Sequence, residues 1–95
     1  GLFYAVRAFL RRRRERPVEH GRVITIGSMA GVAPMGLHTG VSYSAAKASA
    51  TNLTRYVALE AAPLGITANA IAPGTILTET VRKAMTQEQR DAVAA

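Results

Sequence analysis

The chain has 95 residues, enough for one small domain, and 48% of them are apolar, which excludes wholesale disorder. Twelve Lys and Arg face six Asp and Glu, but the excess is local: five arginines fall between Arg11 and Arg16, and elsewhere the charges nearly balance. No cysteine is present, which removes a disulfide framework, a thiolate metal site and a cysteine nucleophile together, and agrees with a reducing, cytoplasmic setting.

Leu2, Phe3, Val6, Phe9 and Leu10 recur at helical spacing and predict a first helix running to about Glu15. Its arginines sit in the last turns, where cations suit the negative end of the helix dipole. The apolar run Leu2 to Leu10 is far too short to span a membrane, and arginines follow it rather than precede it, unlike a signal peptide. Pro17 and Gly21 mark the exit. Val23-Ile24-Thr25-Ile26, bounded by Gly21 and Gly27, reads as a buried strand. A loop from Met29 to Val41 follows. A long helix is then expected from about Ser42 to Ala62, with Ala46, Ala50, Leu53 and Val57 along one face, ended by Pro63 and Gly65. Ile66 to Ala72 reads as a second strand, stopped by Pro73-Gly74. A short helix is expected over Thr78 to Met85. Thr86 with Gln89 three residues on forms a capping box that opens a last helix.

Strand, long helix, strand is a βαβ unit, which predicts a parallel sheet with a right-handed crossover. Ligands bind such sheets beyond the carboxyl ends of the strands. Ser28 ends the first strand, Pro73-Gly74 ends the second, and the amino end of the crossover helix, with Tyr43 in its first turn, returns to the same edge. Tyr43 and Lys47 are four apart and share a helix face. A free tyrosine ionises only near pH ~10. A lysine cation about 4 Å away would favour the phenolate by roughly 4 kcal/mol at an effective dielectric of 20, and the positive end of the helix dipole acts in the same sense. Tyr43 is thus a candidate general acid/base for an alcohol or carbonyl oxygen. Ser28 is a candidate hydrogen-bond donor to that oxygen. Each residue taken alone also has a plain structural reading, Ser28 as a turn cap and the Tyr43/Lys47 pair as a surface pair.

Four stretches together resemble the short-chain dehydrogenase/reductase family. Gly21-Arg22-Val23-Ile24-Thr25-Ile26-Gly27-Ser28 is similar to its serine-bearing strand. Tyr43-Ser44-Ala45-Ala46-Lys47-Ala48 is similar to its active-site helix. Asn69-Ala70-Ile71-Ala72-Pro73-Gly74 resembles the next strand and the turn over the nicotinamide, and Thr75-Ile76-Leu77-Thr78 the stretch that holds the carboxamide. Residues 86–95 resemble the substrate-side helices, most like those of 3-oxoacyl-carrier-protein reductases and of sugar or alcohol dehydrogenases. The resemblance implies the C-terminal part of a Rossmann-like, doubly wound parallel α/β sheet. It implies catalytic roles for Ser28, Tyr43 and Lys47, and contacts from Tyr43, Lys47, Pro73, Gly74, Ile76 and Thr78 to NAD or NADP. It implies hydride transfer to or from a small carbonyl or secondary-alcohol substrate. It also implies a full-length homo-oligomer, a dimer or tetramer, paired through the first and the tyrosine helices, with Phe3, Val6 and Leu53 on those surfaces.

No two glycines stand two apart, so the chain has no Gly-x-Gly phosphate loop. Gly1 opens inside a predicted helix and Ala95 closes inside another. Residues 1–95 are therefore expected to be part of a nucleotide-binding domain cut at both ends, and inactive in isolation. The alternative is a non-catalytic interaction module that pairs with a relative through its two interface helices. The arginine run reads as a solvated helix end and not as a nucleic-acid site, since no aromatic residues interleave it. His20 and His38 stand alone and predict no metal. Met29 and Met35, in the loop after Ser28, are placed either to line a substrate cleft or simply to fill gaps.

Overall fold

The computed structural model describes residues 1–36 and 39–94. His38 and Ala95, read from the sequence as a lone loop histidine and the end of the last helix, lie outside the described residues. The expected order of elements is present. Helix α1 spans Leu2–Glu15, with Val6 and Leu10 buried on its apolar stripe and Arg12, Arg13 and Arg14 in its last turn. Strand β1 spans Gly21–Ile26. A short 3-10 turn follows at Met29–Gly31. Helix α2 spans Val41–Ala61 and strand β2 Ile66–Ile71. Helices α3 (Glu79–Ala84) and α4 (Gln87–Ala94) complete the order.

The two strands pair in parallel and in step, from Gly21 opposite Ile66 to Ile26 opposite Ile71. Because the sheet is parallel, both strands end at one edge, and α2 must travel back to begin there. The return from α2 to β2 is a tight turn through Pro63 to Gly65. Gly65 has φ +69°, and a Cβ there would stand 2.9 Å from the Glu19 carbonyl oxygen, so glycine is required on two counts.

The core is one cluster: Val6 and Leu10 from α1, Val57 and Ala61 from α2, Ile66 and Ala68 from β2. Thr25 and Thr54 are buried beside it. Thr54 Oγ1 donates to the Ala50 carbonyl at 2.8 Å and lies 2.7 Å from Thr25 Oγ1, so the proton between the two hydroxyls comes from Thr25.

Three expectations need correcting. β1 is buried on one face only: Thr25 is 5% exposed, whereas Ile24 and Ile26 are 61% and 58% exposed. The reason is that α1 and α2 both pack on the same face of the sheet. The buried stripe of α2 is Thr54, Val57 and Ala61; Ala46 is exposed, and Ala50 and Leu53 are half-buried. The stripe shifts because the sheet, and Thr25 in particular, lies against the second half of the helix. α3 begins at Glu79 because Thr78 is its cap, its Oγ1 accepting from Val81 N at 3.3 Å. The capping box is formed as expected: Thr86 N donates to Gln89 Oε1 at 2.9 Å, and Gln89 N donates to Thr86 Oγ1 at 3.2 Å.

Candidate active site

The carboxyl edge of the sheet gathers the predicted residues through main-chain and side-chain hydrogen bonds. Gly27 N donates to the Ile71 carbonyl at 2.8 Å, extending the strand pairing by one step. Met29 N then donates to the Pro73 carbonyl at 3.0 Å. That bond ties the residue after Ser28 to the turn that carries Gly74. Two segments more than forty positions apart in sequence are thus held side by side at the strand ends.

Ser28 sits half-buried at the head of the 3-10 turn, where its Oγ accepts from Ala30 N at 3.2 Å. It is therefore a turn cap, as its plain structural reading holds. The cap uses only a lone pair, so the hydroxyl proton stays free to donate elsewhere. The turn is pressed against α2. A Cβ on Gly31 would lie 2.6 Å from the Lys47 carbonyl carbon and 2.7 Å from Ala48 N. Ser44 secures the same contact, its Oγ donating to the Ala30 carbonyl at 2.5 Å. Sequence reasoning missed both Gly31 and Ser44. Their signal is slight: a glycine three residues after Ser28, and a short polar residue next to Tyr43.

Tyr43 is 51% exposed in the first turn of α2. Lys47 Nζ donates to the Ile26 carbonyl at 3.0 Å and lies 5.8 Å from the centroid of the Tyr43 ring. The lysine is thus anchored to the last carbonyl of β1, and it meets the tyrosine as a cation over a ring. One N–H of the ammonium is taken by Ile26, which leaves two to donate. Pro73 is half-buried, and Gly74, Ile76 and Thr78 lie exposed along the segment that leaves β2. Among the described residues, nothing stands within 4 Å of the place a Gly74 Cβ would occupy. Thr78 spends a lone pair on its cap and keeps its proton.

A cleft of about 560 Å³ adjoins this edge, lined by residues of the 3-10 turn, the loop after it and the first half of α2. Met35 lines it; Met29, Ser28, Tyr43 and Lys47 do not. Among the described residues no group of acidic or His side chains forms a metal site, and no helix is long and apolar enough to cross a membrane.

Residues 1–89 match the family model described as short chain dehydrogenase. The chain is 43% identical over 76 residues to 3-oxoacyl-[acyl-carrier-protein] reductase of Escherichia coli, covering 80% of this chain and 30% of that protein. It is 39% identical over 83 residues to galactitol 2-dehydrogenase (L-tagatose-forming) of Cereibacter sphaeroides, covering 87% and 32%. The solved structure of 3-oxoacyl-[acyl-carrier protein] reductase from Brucella melitensis superposes with a TM-score of 0.81 at 27% identity, over 96% of this chain and 33% of that one. The chain thus spans about a third of the length of these relatives. By the family match, by these relatives and by the shared fold, the chain belongs to the short-chain dehydrogenase family.

Proposed function

We propose that this chain supplies the proton-transfer side of an NAD- or NADP-dependent hydride transfer between a carbonyl compound and its secondary alcohol. The observation that carries the proposal is the Met29–Pro73 hydrogen bond. With the Lys47–Ile26 bond, it holds Ser28, the active-site helix and the Pro73-Gly74 turn at one edge of the sheet. The residues at that edge suit the nicotinamide end of a dinucleotide. Lys47 has two unused N–H groups for ribose hydroxyls, Thr78 keeps a free hydroxyl proton, and no described residue crowds Gly74. They do not supply a pyrophosphate site, since the sequence has no Gly-x-Gly loop.

When bound, the reduced nicotinamide would supply the hydride to the carbonyl carbon. Tyr43 donates its phenolic proton to the carbonyl oxygen, so the product is a neutral alcohol. Ser28 donates a hydrogen bond to that oxygen while charge builds on it. Lys47, held by the Ile26 carbonyl, keeps its ammonium over the Tyr43 ring and donates its remaining N–H groups to the ribose hydroxyls. In the reverse direction Tyr43 takes the proton from the alcohol.

The test is a chimaera in which this chain replaces the structurally equivalent third of the Brucella melitensis reductase. Tyr43→Phe should lower kcat by about 10²–10⁴-fold, the usual contribution of a positioned acid/base, with dinucleotide affinity kept within about threefold. Unchanged kcat would remove Tyr43 from the mechanism.

A further inference from the structure

Two side chains of α2 grip the segment that carries Ser28, one on each side of it. Lys47 Nζ donates to the Ile26 carbonyl at 3.0 Å, two residues before Ser28. Ser44 Oγ donates to the Ala30 carbonyl at 2.5 Å, two residues after it. Ser44 and Lys47 are three apart on α2 and so share a helix face. The 3-10 turn rests on the helix backbone beside them, where a Cβ on Gly31 would lie 2.6 Å from the Lys47 carbonyl carbon.

The two grips differ. Lys47 reaches its carbonyl with a long, flexible side chain and keeps N–H groups for a ligand. Ser44 has one short rotor and one proton, and it is bonded in the chain to Tyr43. Ala30, which it holds, is 7% exposed, and side chains take both of its main-chain polar groups: Ser28 Oγ accepts from its N–H at 3.2 Å, and Ser44 donates to its carbonyl. Among the described residues, no other hydrogen bond reaches that carbonyl. One buried residue therefore links the hydroxyl of Ser28 to the neighbour of Tyr43. Ser28 and Tyr43 stand 15 positions apart in sequence, on a strand end and on a helix, and must meet one substrate oxygen. A donor contributes only where it meets the place that oxygen takes as charge builds.

From these contacts we infer that Ser44 is a positioning residue: its hydroxyl, acting through Ala30, sets where Ser28 Oγ stands relative to the Tyr43 phenol. The inference rests on the hydride-transfer reading above and adds to it a residue that touches neither substrate nor cofactor. Without the Ser44 hydroxyl the buried Ala30 carbonyl loses its partner and turns toward water, and the turn that Ser28 caps turns with it.

The test is a double-mutant cycle on kcat in the Brucella melitensis chimaera, with ethyl 3-oxobutanoate as the carbonyl probe and dinucleotide binding as the check of folding. Ser28→Ala should lower kcat by about 10²–10³-fold, as loss of one such donor does. Ser44→Ala should lower it by about tenfold or more, since a misplacement of about 1 Å costs up to ~10²-fold. Dinucleotide affinity should stay within about threefold in both, because the loss is confined to the transition state. In the Ser28→Ala background, Ser44→Ala should lower kcat by less than about twofold, because the residue it positions is gone. A merely structural serine would cost the same in both backgrounds. Ser44→Cys, a weak donor of similar size, repeats the cycle with a smaller loss, so the question does not hang on one variant. Equal losses in the two backgrounds, or a Ser44→Ala kcat within about twofold of the parent, would overturn the positioning role. Tyr43→Phe in the same chimaera keeps the two failures apart. If it is inactive while the cycle is additive, only the role of Ser44 falls; if it keeps its kcat, the hydride-transfer reading falls and the role of Ser44 with it.

Discussion

Gly31→Ala is the substitution that most directly tests how the site is held together. Gly31 ends the 3-10 turn, and the turn lies directly on α2. An alanine Cβ would stand 2.6 Å from the Lys47 carbonyl carbon, 2.7 Å from Ala48 N and 2.9 Å from Lys47 Cβ. Optimal contacts between such atoms are about 3.5–4.0 Å, so the turn must retreat by roughly 1 Å. Two of the three atoms are helix backbone, and no rotamer change relieves them. Overpacking of this kind costs about 1–3 kcal/mol. The retreat also breaks the Ser44–Ala30 hydrogen bond, worth about 0.5–1.5 kcal/mol. A loss of about 2–4 kcal/mol is therefore expected in urea unfolding of the Brucella melitensis chimaera. Turnover should fall with it, because Ser28 caps the displaced turn and Met29 anchors it to Pro73. Gly40→Ala is the comparison, since a Cβ there meets nothing within 4 Å among the described residues; it replaces a glycine N-cap and should cost no more than ~1 kcal/mol. A Gly31→Ala protein within about 0.5 kcal/mol of its parent and with unchanged kcat would refute the close contact between turn and helix.

Thr54→Val should destabilise the same chimaera by about 1–3 kcal/mol, because it strands the buried Thr25 hydroxyl. The double change Thr25→Val with Thr54→Val should cost less than the sum of the singles, and an additive denaturant-unfolding cycle would show that the two hydroxyls are not paired. Thr86→Ala removes one side of the capping box and should cost about 0.5–2 kcal/mol by thermal unfolding; no change in Tm would show that α4 does not depend on it. Arg14→Ala removes an ion pair with Glu60 at 2.6 Å, but the side chains are 49% and 60% exposed, so urea unfolding should move by no more than about 1 kcal/mol. The isolated 95-residue chain exposes Ile24, Ile26 and Ile71 on the uncovered face of a two-stranded sheet, and it should bind a hydrophobic dye and melt without cooperativity; a sharp thermal transition would contradict this.

Much of the architecture was legible because it rests on local rules. The apolar stripe of α1, the β-branched run of β1, the Pro63 and Gly65 stop, and the Thr86–Gln89 box each act within a few residues, and each is present. The parallel pairing followed from strand, long helix, strand, since a helix of that length allows no hairpin. The placing of Ser28, Tyr43 and Pro73-Gly74 at one edge followed in turn. Those inferences need only the period of each element and the geometry of a crossover.

Other features depend on contacts that no local pattern encodes. Ile24 and Thr25 stand side by side in one strand, both β-branched, yet one is exposed and the other buried, because α1 and α2 cover only one face. Which stripe of α2 is buried was decided by the position of the sheet beneath it and by the Thr25–Thr54 pair, not by apolar periodicity. The anchoring of Lys47 to Ile26, the closeness of Gly31 to α2 and the grip of Ser44 on Ala30 each join segments 14 to 21 positions apart or pack a turn on a helix backbone. The sequence by itself determined the elements, their order and the edge where chemistry-bearing side chains meet, since propensity, capping and strand direction are short-range. Only the tertiary structure decided which face is buried and what Lys47 holds, because those depend on which distant atoms come within a few ångströms.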